Sequence, residues 1–341
     1  MNKQLPILAA IAILAIGLGV WLNQPPSKGK FEANILFEDL QGLANQVNSV
    51  EIKNAQGVLY SAKKSGDRWL ATFDPEQPAY PISQTKLADF VETMMSVKLV
   101  EAKTSKPQNY VRLGLQPIDI EDSLASLVTL KTDTKSWQVF VGNKVSMSDG
   151  HYILKMHDPQ SWRTDRNINL PIDKFSWLKQ PILPYQAQNI SSVSRVDSLD
   201  WQIVRSASGD FELMNMPKDK ELEYASILNS IVDSLTSLDF EQMLIIDEDV
   251  TQSLKVLTQL EVSTEDKHVF QVVVSELNDK HLINFSSDDH PEYWQQWYYQ
   301  ISNFSAQQLI RTLNDFLAKE NTTLSNTKIT PQSVEEGESP Y

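Results

Sequence analysis

The sequence predicts an α+β protein. One N-terminal transmembrane helix is followed by two repeated units of mainly antiparallel sheet, each with one amphipathic helix and a short closing helix. Three observations predict this. An uncharged apolar run spans Ile7 to Leu22, two helical stripes recur position by position, and grouped strand patterns surround each stripe.

The chain of 341 residues has 30 Lys and Arg against 44 Asp and Glu, a net charge of −14, and no cysteine. This length suits two domains of ordinary size. The negative balance argues against nucleic-acid binding, because phosphate contacts need clustered Lys and Arg. Without cysteine there is no disulfide, thiol nucleophile, Fe–S cluster or Cys-based zinc site.

Residues 1–24 read as the anchor. Lys3 gives a positive lead, Pro6 sits where a helix begins without losing a bond, and Trp21 suits the membrane interface. Sixteen helical residues span about 24 Å, slightly less than a hydrocarbon core of roughly 30 Å. The rival reading is a cleaved signal peptide, which needs small residues at the −3 and −1 positions. The run instead ends in Val20-Trp21-Leu22-Asn23-Gln24, which favours an uncleaved anchor. Signal-anchor architecture with a long acidic body places residues 25–341 in the periplasm, on the outer face of a bacterial inner membrane. Ala15 and Gly19 form a weak small-xxx-small pattern for helix pairing.

Residues 25–43 read as a linker, and 320–341 as a flexible tail without apolar period. Between them lie two units, 44–182 and 188–319, divided by Leu183-Pro184 and a polar stretch. The first opens with Val50-Glu51-Ile52, Val58-Leu59-Tyr60 and Gly66-Asp67-Arg68-Trp69-Leu70. The second opens around Val193, then Trp201-Gln202-Ile203 and Gly209-Asp210-Phe211-Glu212-Leu213. The differences 193 − 50, 203 − 60 and 209 − 66 each give 143. Gly-Asp between two alternating runs reads as a hairpin turn.

The helix of the first unit is predicted from an N-cap at Ser83 and a stripe of Leu87, Phe90, Val91, Met94 and Val97. Leu228, Ile231, Val232, Leu235 and Leu238 repeat it at a constant offset of 141. A second hairpin then pairs Val128–Thr132 with Trp137–Val141, and Glu261–Thr264 with Phe270–Val274. The closing helices are predicted over Lys174–Leu178 and Ala306–Leu317.

These features resemble the uncharacterised DUF4340 family. The matching elements are the anchor, Val50-Glu51-Ile52, Gly66-Asp67-Arg68-Trp69, Tyr80-Pro81-Ile82, Leu113-Gly114-Leu115 before the Val128 hairpin, and Tyr152 in the closing strand. The resemblance implies a single-pass envelope protein associated with ABC transport systems of the gliding-motility auxiliary type. It brings no catalytic residues, and the second unit has Leu254-Lys255-Val256 where the first has Leu-Gly-Leu.

No enzymatic signature emerges. The five histidines form no H-E-x-x-H pair, and no G-x-S-x-G elbow, Walker A loop or dinucleotide fingerprint occurs. Asp288-Asp289-His290 and Asp247-Glu248-Asp249 read as polar turns rather than metal sites. A dispersed carboxylate pair, and with it an envelope hydrolase, stays open because its spacing is spatial.

The candidate partner or ligand surface is aromatic. In Tyr293-Trp294-Gln295-Gln296-Trp297-Tyr298-Tyr299, strand alternation puts Trp297 and Tyr299 on one face and Trp294 and Tyr298 on the other. Trp162 and Arg163 begin a second candidate contact loop. The sequence therefore predicts a non-enzymatic, membrane-anchored accessory protein without cofactor or metal. Its expected partner is an inner-membrane ABC permease and ATPase or another envelope protein. The alternative is a periplasmic module that binds a glycan, lipid or peptide.

Overall fold

A computed structural model of the chain describes residues 34–73, 77–288 and 292–319. The expected anchor Ile7–Leu22, the expected tail 320–341, and Asp289 and His290 lie outside the described residues. Among those described, no helix is long and apolar enough to cross a membrane. The chain divides into two compact units, with the boundary between Gln180 and Pro181.

The first unit runs β1 (Asn34–Ile35), β2 (Ser49–Asn54), β3 (Gly57–Ser65), β4 (Arg68–Ala71), β5 (Tyr80–Pro81), α1 (Gln84–Ser96), β6 (Lys98–Ala102), β7 (Ser126–Lys131), β8 (Ser136–Lys144), β9 (His151–Lys155) and β10 (Ser161–Thr164). Its antiparallel sheet has the order β1-β6-β10-β9-β8-β7-β2-β3-β4-β5. The second runs β11 (Ile190–Arg195), β12 (Gln202–Arg205), β13 (Phe211–Met214), α2 (Ile227–Thr236), β14 (Gln242–Ile245), α3 (Glu248–Ser253), β15 (Lys255–Thr264), β16 (Val269–Leu277), β17 (Lys280–Ser286), β18 (Trp297–Ile301) and α4 (Asn303–Leu309). Its order is β13-β12-β11-β15-β16-β17-β18-β14.

Read from β4 and from β13, the two orders are the same through eight strands. Burial repeats with them. Trp137, Val139 and Val141 are buried on β8, and Phe270, Val272 and Val274 are buried 133 residues later on β16. Four of the five expected α1 positions, Leu87, Phe90, Met94 and Val97, are buried, and so are all five expected α2 positions. The Ser83 hydroxyl accepts from the Lys86 amide (3.4 Å) and caps α1. The opening hairpins differ in register. Val50 faces Ala62 and Ile52 faces Tyr60, whereas Val193 faces Ile203. Relative to the 143-residue offset this is a slip of two, which leaves every side chain on its own face.

Four expectations change. The segment 34–43 is not a linker. Ile35 pairs with Lys98, the Leu36 amide donates to the Val97 carbonyl (2.9 Å), and Leu36 and Leu40 are buried. The Trp137 indole donates to Asp39 (2.8 Å) and holds the segment down. The closing helix over Lys174–Leu178 is a set of turns. The Asp173 carboxylate takes the Phe175 and Ser176 amides (2.8 and 2.7 Å), and the Trp177 carbonyl accepts from Ser83. Those groups are then spent outside any helix. In the second unit the closing helix is α4 alone, and a separate 3₁₀ turn over Leu313–Phe316 starts at a Thr312–Asp315 capping box. Ile182 belongs with the second unit, where its amide donates to the Leu238 carbonyl (2.9 Å).

Leu113-Gly114-Leu115 is structural. Gly114 ends the 3₁₀ helix Pro107–Leu113 in a left-handed conformation (φ 68) and Leu115 is buried. The turn lies so close to β8 that a Cβ on Gly142 would collide with the carbonyls of Leu113 and Gly114. We expect Gly142→Ala to cost about 2 kcal/mol through that overpacking. Gly42→Ala, which meets nothing within 4 Å, leaves the denaturant midpoint unchanged.

An ion pair closes the second unit. The Arg195 guanidinium holds Asp197 (2.9 and 3.0 Å) and donates to the Arg311 carbonyl (3.2 Å), where the Trp201 indole also donates (2.9 Å). Burial pushes the Asp197 carboxyl up, but the bonds from Arg195 and from the Gln259 amide outweigh it and hold the group below its ordinary value. A depressed carboxyl contributes stability above its unfolded value of about 3.9, which is lost as pH falls through the lower folded value. Acid titration of stability is expected to show this loss below about pH 4 and a smaller one in Asp197→Asn.

Candidate functional site

The expected aromatic surface is internal. Trp294, Trp297, Tyr298 and Tyr299 are each at most 5% exposed. Residues Tyr293–Gln296 form a 3₁₀ turn, and the strand starts only at Trp297. The turn arises because the core claims both of its ends. Trp294 packs edge-to-face on Phe270 and Phe285 (5.5 Å each), and its carbonyl accepts from the Tyr299 hydroxyl (3.1 Å). Tyr298 contacts Thr251 of α3 through its hydroxyl (3.0 Å).

Trp162 and Arg163 do not form a loop either. They lie in β10, hydrogen-bonded between β6 and β9. Arg163 is half-buried and pairs with Glu101 at 3.6 Å. Asp247 caps α3 by accepting from the Val250 amide (2.7 Å). Among the described residues no group of three or more His, Asp or Glu is placed to hold a metal ion.

What the structure opens instead is a groove of about 430 Å³ in the first unit. One wall is a side of α1. Gln84, Ala88, Val91 and Met95 stand at i, i+4, i+7 and i+11, one continuous row beside the buried stripe. The second wall is the β3–β4 hairpin, through Lys64, Asp67 and Trp69. Ala44, Asn45 and Val47, just ahead of β2, close one side. Tyr60, Ala62 and Lys64 alternate toward α1, but only the first two are covered. Where the cover ends, Lys64 is exposed and Trp69 half-exposed.

This site is mainly apolar, with Asn45 and Gln84 among its lining, and carries one cation and one carboxylate at the hairpin end. Among the described residues no ion pair involves Lys64 or Asp67. The volume falls in the range of small-molecule clefts, and an open groove with a helical row also fits a peptide segment.

Sequence reasoning read Val91 as core and Trp69 as a strand marker, and so missed both. The available signal was the second row on α1, offset by one residue from the buried stripe. A polar hollow of about 430 Å³ lies in the second unit, lined by Glu223, Gln307, Gln308, Arg311, Asn314, Asp315 and Lys319 among others.

Fold and groove together define an α+β protein in which one eight-strand topology is used twice and one unit carries an open groove. The chain belongs to the DUF4340 family: the model of this domain of unknown function matches residues 69–261, more than half of the chain. The match begins at Trp69 in the groove and ends in β15, so it takes in parts of both units. No curated protein and no solved structure matches the chain.

Trp297→Ala is expected to cost about 3–5 kcal/mol, as truncation of a buried aromatic does, rather than to alter a surface. Thermal unfolding of this variant beside Trp69→Ala, which lies at the groove, should show a large drop only for Trp297→Ala.

Proposed function

We propose that the protein is a non-enzymatic accessory subunit, anchored in a bacterial inner membrane by residues 1–24 with its body in the periplasm. It serves an ABC transporter or another envelope complex. The observation that carries this reading is the open groove between α1 and the β3–β4 hairpin, whose lining suits docking of an apolar segment. The uncharged run Ile7–Leu22 supports the anchor, and the transporter context follows the expectation drawn above from the resemblance to the DUF4340 family. An ATPase role would fall to the partner, since the chain carries no Walker A sequence.

A second reading, a periplasmic module for glycans, lipids or peptides, draws on the polar hollow of the second unit, where Gln, Asn and Arg side chains offer donors and acceptors together.

The test is extraction of the full-length protein in mild detergent, beside a form starting at Ser27. The accessory reading expects a permease and an ATPase to co-purify with the full-length protein. Val91→Asp with Met95→Asp should reduce their recovery about fivefold or more, the effect of losing an anchor contact, with little change in thermal midpoint. Undiminished recovery would remove the groove from the interface. No partner in either form after cross-linking, with saturable glycan binding lost in Arg311→Ala, would favour the second reading.

A further inference from the structure

The first sheet has two strands more than the second, and both lie at its edges. β1 pairs with β6, with Asn34 opposite Leu99 and Ile35 opposite Lys98. β5 pairs with β4. The counterpart of β6 in the second unit is β14, which pairs with β18 on one side. Among the described residues its other side has no strand. An edge that the first unit fills with chain from ahead of its repeat is thus open in the second.

Edges of stable monomers are normally blunted by Lys, Pro or a bulge. β14 reads Gln242-Met243-Leu244-Ile245, pairs with β18 without a register break, and is followed by Ile246 at 39% exposure. The strand is short, at four residues, but carries no Lys, no Pro and no bulge. The outer edge at β13 is different. There the Phe211 amide is taken by Asn229 of α2 (3.3 Å), and the chain turns away through Asn215 in a left-handed conformation (φ 57).

Carboxylates flank the open edge: Glu241 before it, and Asp247, Glu248 and Asp249 after it. Asp247 is engaged in capping α3. Among the described residues no ion pair involves any of the four. A second copy joined antiparallel through β14 would bring Glu241 of each chain against the acidic run of the other, which is unfavourable. A strand with basic residues at those positions gains from the same charges.

We propose that the free edge of β14 accepts, as an added strand, an extended segment of a partner polypeptide in which apolar residues alternate with Lys or Arg. Main-chain hydrogen bonds along the edge supply the affinity, and the flanking carboxylates select the cationic sequence. This surface lies in the second unit, apart from the groove, and does not depend on the function proposed above.

The test uses the full-length protein in detergent and two synthetic peptides, acetyl-Lys-Val-Thr-Val-Lys-Val-Thr-amide and its counterpart with Glu for Lys. Amide hydrogen exchange is followed by mass spectrometry. The cationic peptide should bind saturably and slow exchange across Gln242–Ile246. The acidic peptide should bind about tenfold more weakly, as two or three favourable flanking pairs require. Glu241→Lys with Asp249→Lys, both surface changes, should reverse the preference. A backbone N-methylated cationic peptide should not bind. Unchanged exchange at Gln242–Ile246 under saturating cationic peptide, or equal protection by both peptides, would overturn the proposal. So would concentration-dependent dimerisation that protects Gln242–Ile246 without peptide, which would assign the edge to a second copy.

Discussion

The organising constraint is that each broad antiparallel sheet has one apolar face and very little helix to cover it. Ten strands at a spacing of about 4.8 Å span roughly 43 Å, while one helix is about 10 Å across. α1, with thirteen residues, covers a band of the first sheet through Leu87, Phe90 and Met94. Irregular chain covers the rest. Leu36 and Leu40 come from the segment before β2, and Trp177, packed edge-on against Tyr60 and tilted against Phe90 (5.1 and 5.0 Å), comes from the turns after β10. The groove lies where these covers stop short of Lys64 and Trp69. In the second unit α2, α4 and the Leu313–Phe316 turn share the same task, and the Arg195–Asp197 pair ties the Ile310–Arg311 link between the last two to β11.

Periodic features were legible from the residues alone. The α1 and α2 stripes, the Gly66-Asp67 and Gly209-Asp210 turns, and the Trp137 and Phe270 strands depend on local spacing, and spacing survives folding. What failed was decided by long-range pairing. Asn34–Ile35 is a strand only because β6 offers an edge, and Lys174–Leu178 is not a helix because Asp173 and Ser83 claim its backbone. The run Tyr293–Tyr299 alternates as a surface strand would, yet Phe270 and Phe285 draw Trp294 inward. The groove was the least legible part, because it is the shape left between three segments distant in sequence.

The duplicated topology separates what the architecture needs from what each unit adds. Eight strands in one order with one helix inserted after the third form the common part. The first unit adds edge strands and the Gly114–Gly142 contact, where two backbones approach too closely for any Cβ. The second adds α3, α4 and the ion pair. The two candidate surfaces follow from these additions. One is an open groove beside a capped sheet, and the other is an open sheet edge.

The natural absence of cysteine makes one measurement direct. Single Val91→Cys and Met94→Cys proteins would be labelled with a maleimide, both purified in detergent and in native membranes. An open groove that docks a partner predicts fast labelling of Val91→Cys when purified, marked slowing in membranes, and slow labelling of Met94→Cys throughout. Val91→Cys that labels as slowly as Met94→Cys when purified, or equally fast in both settings, would contradict the account.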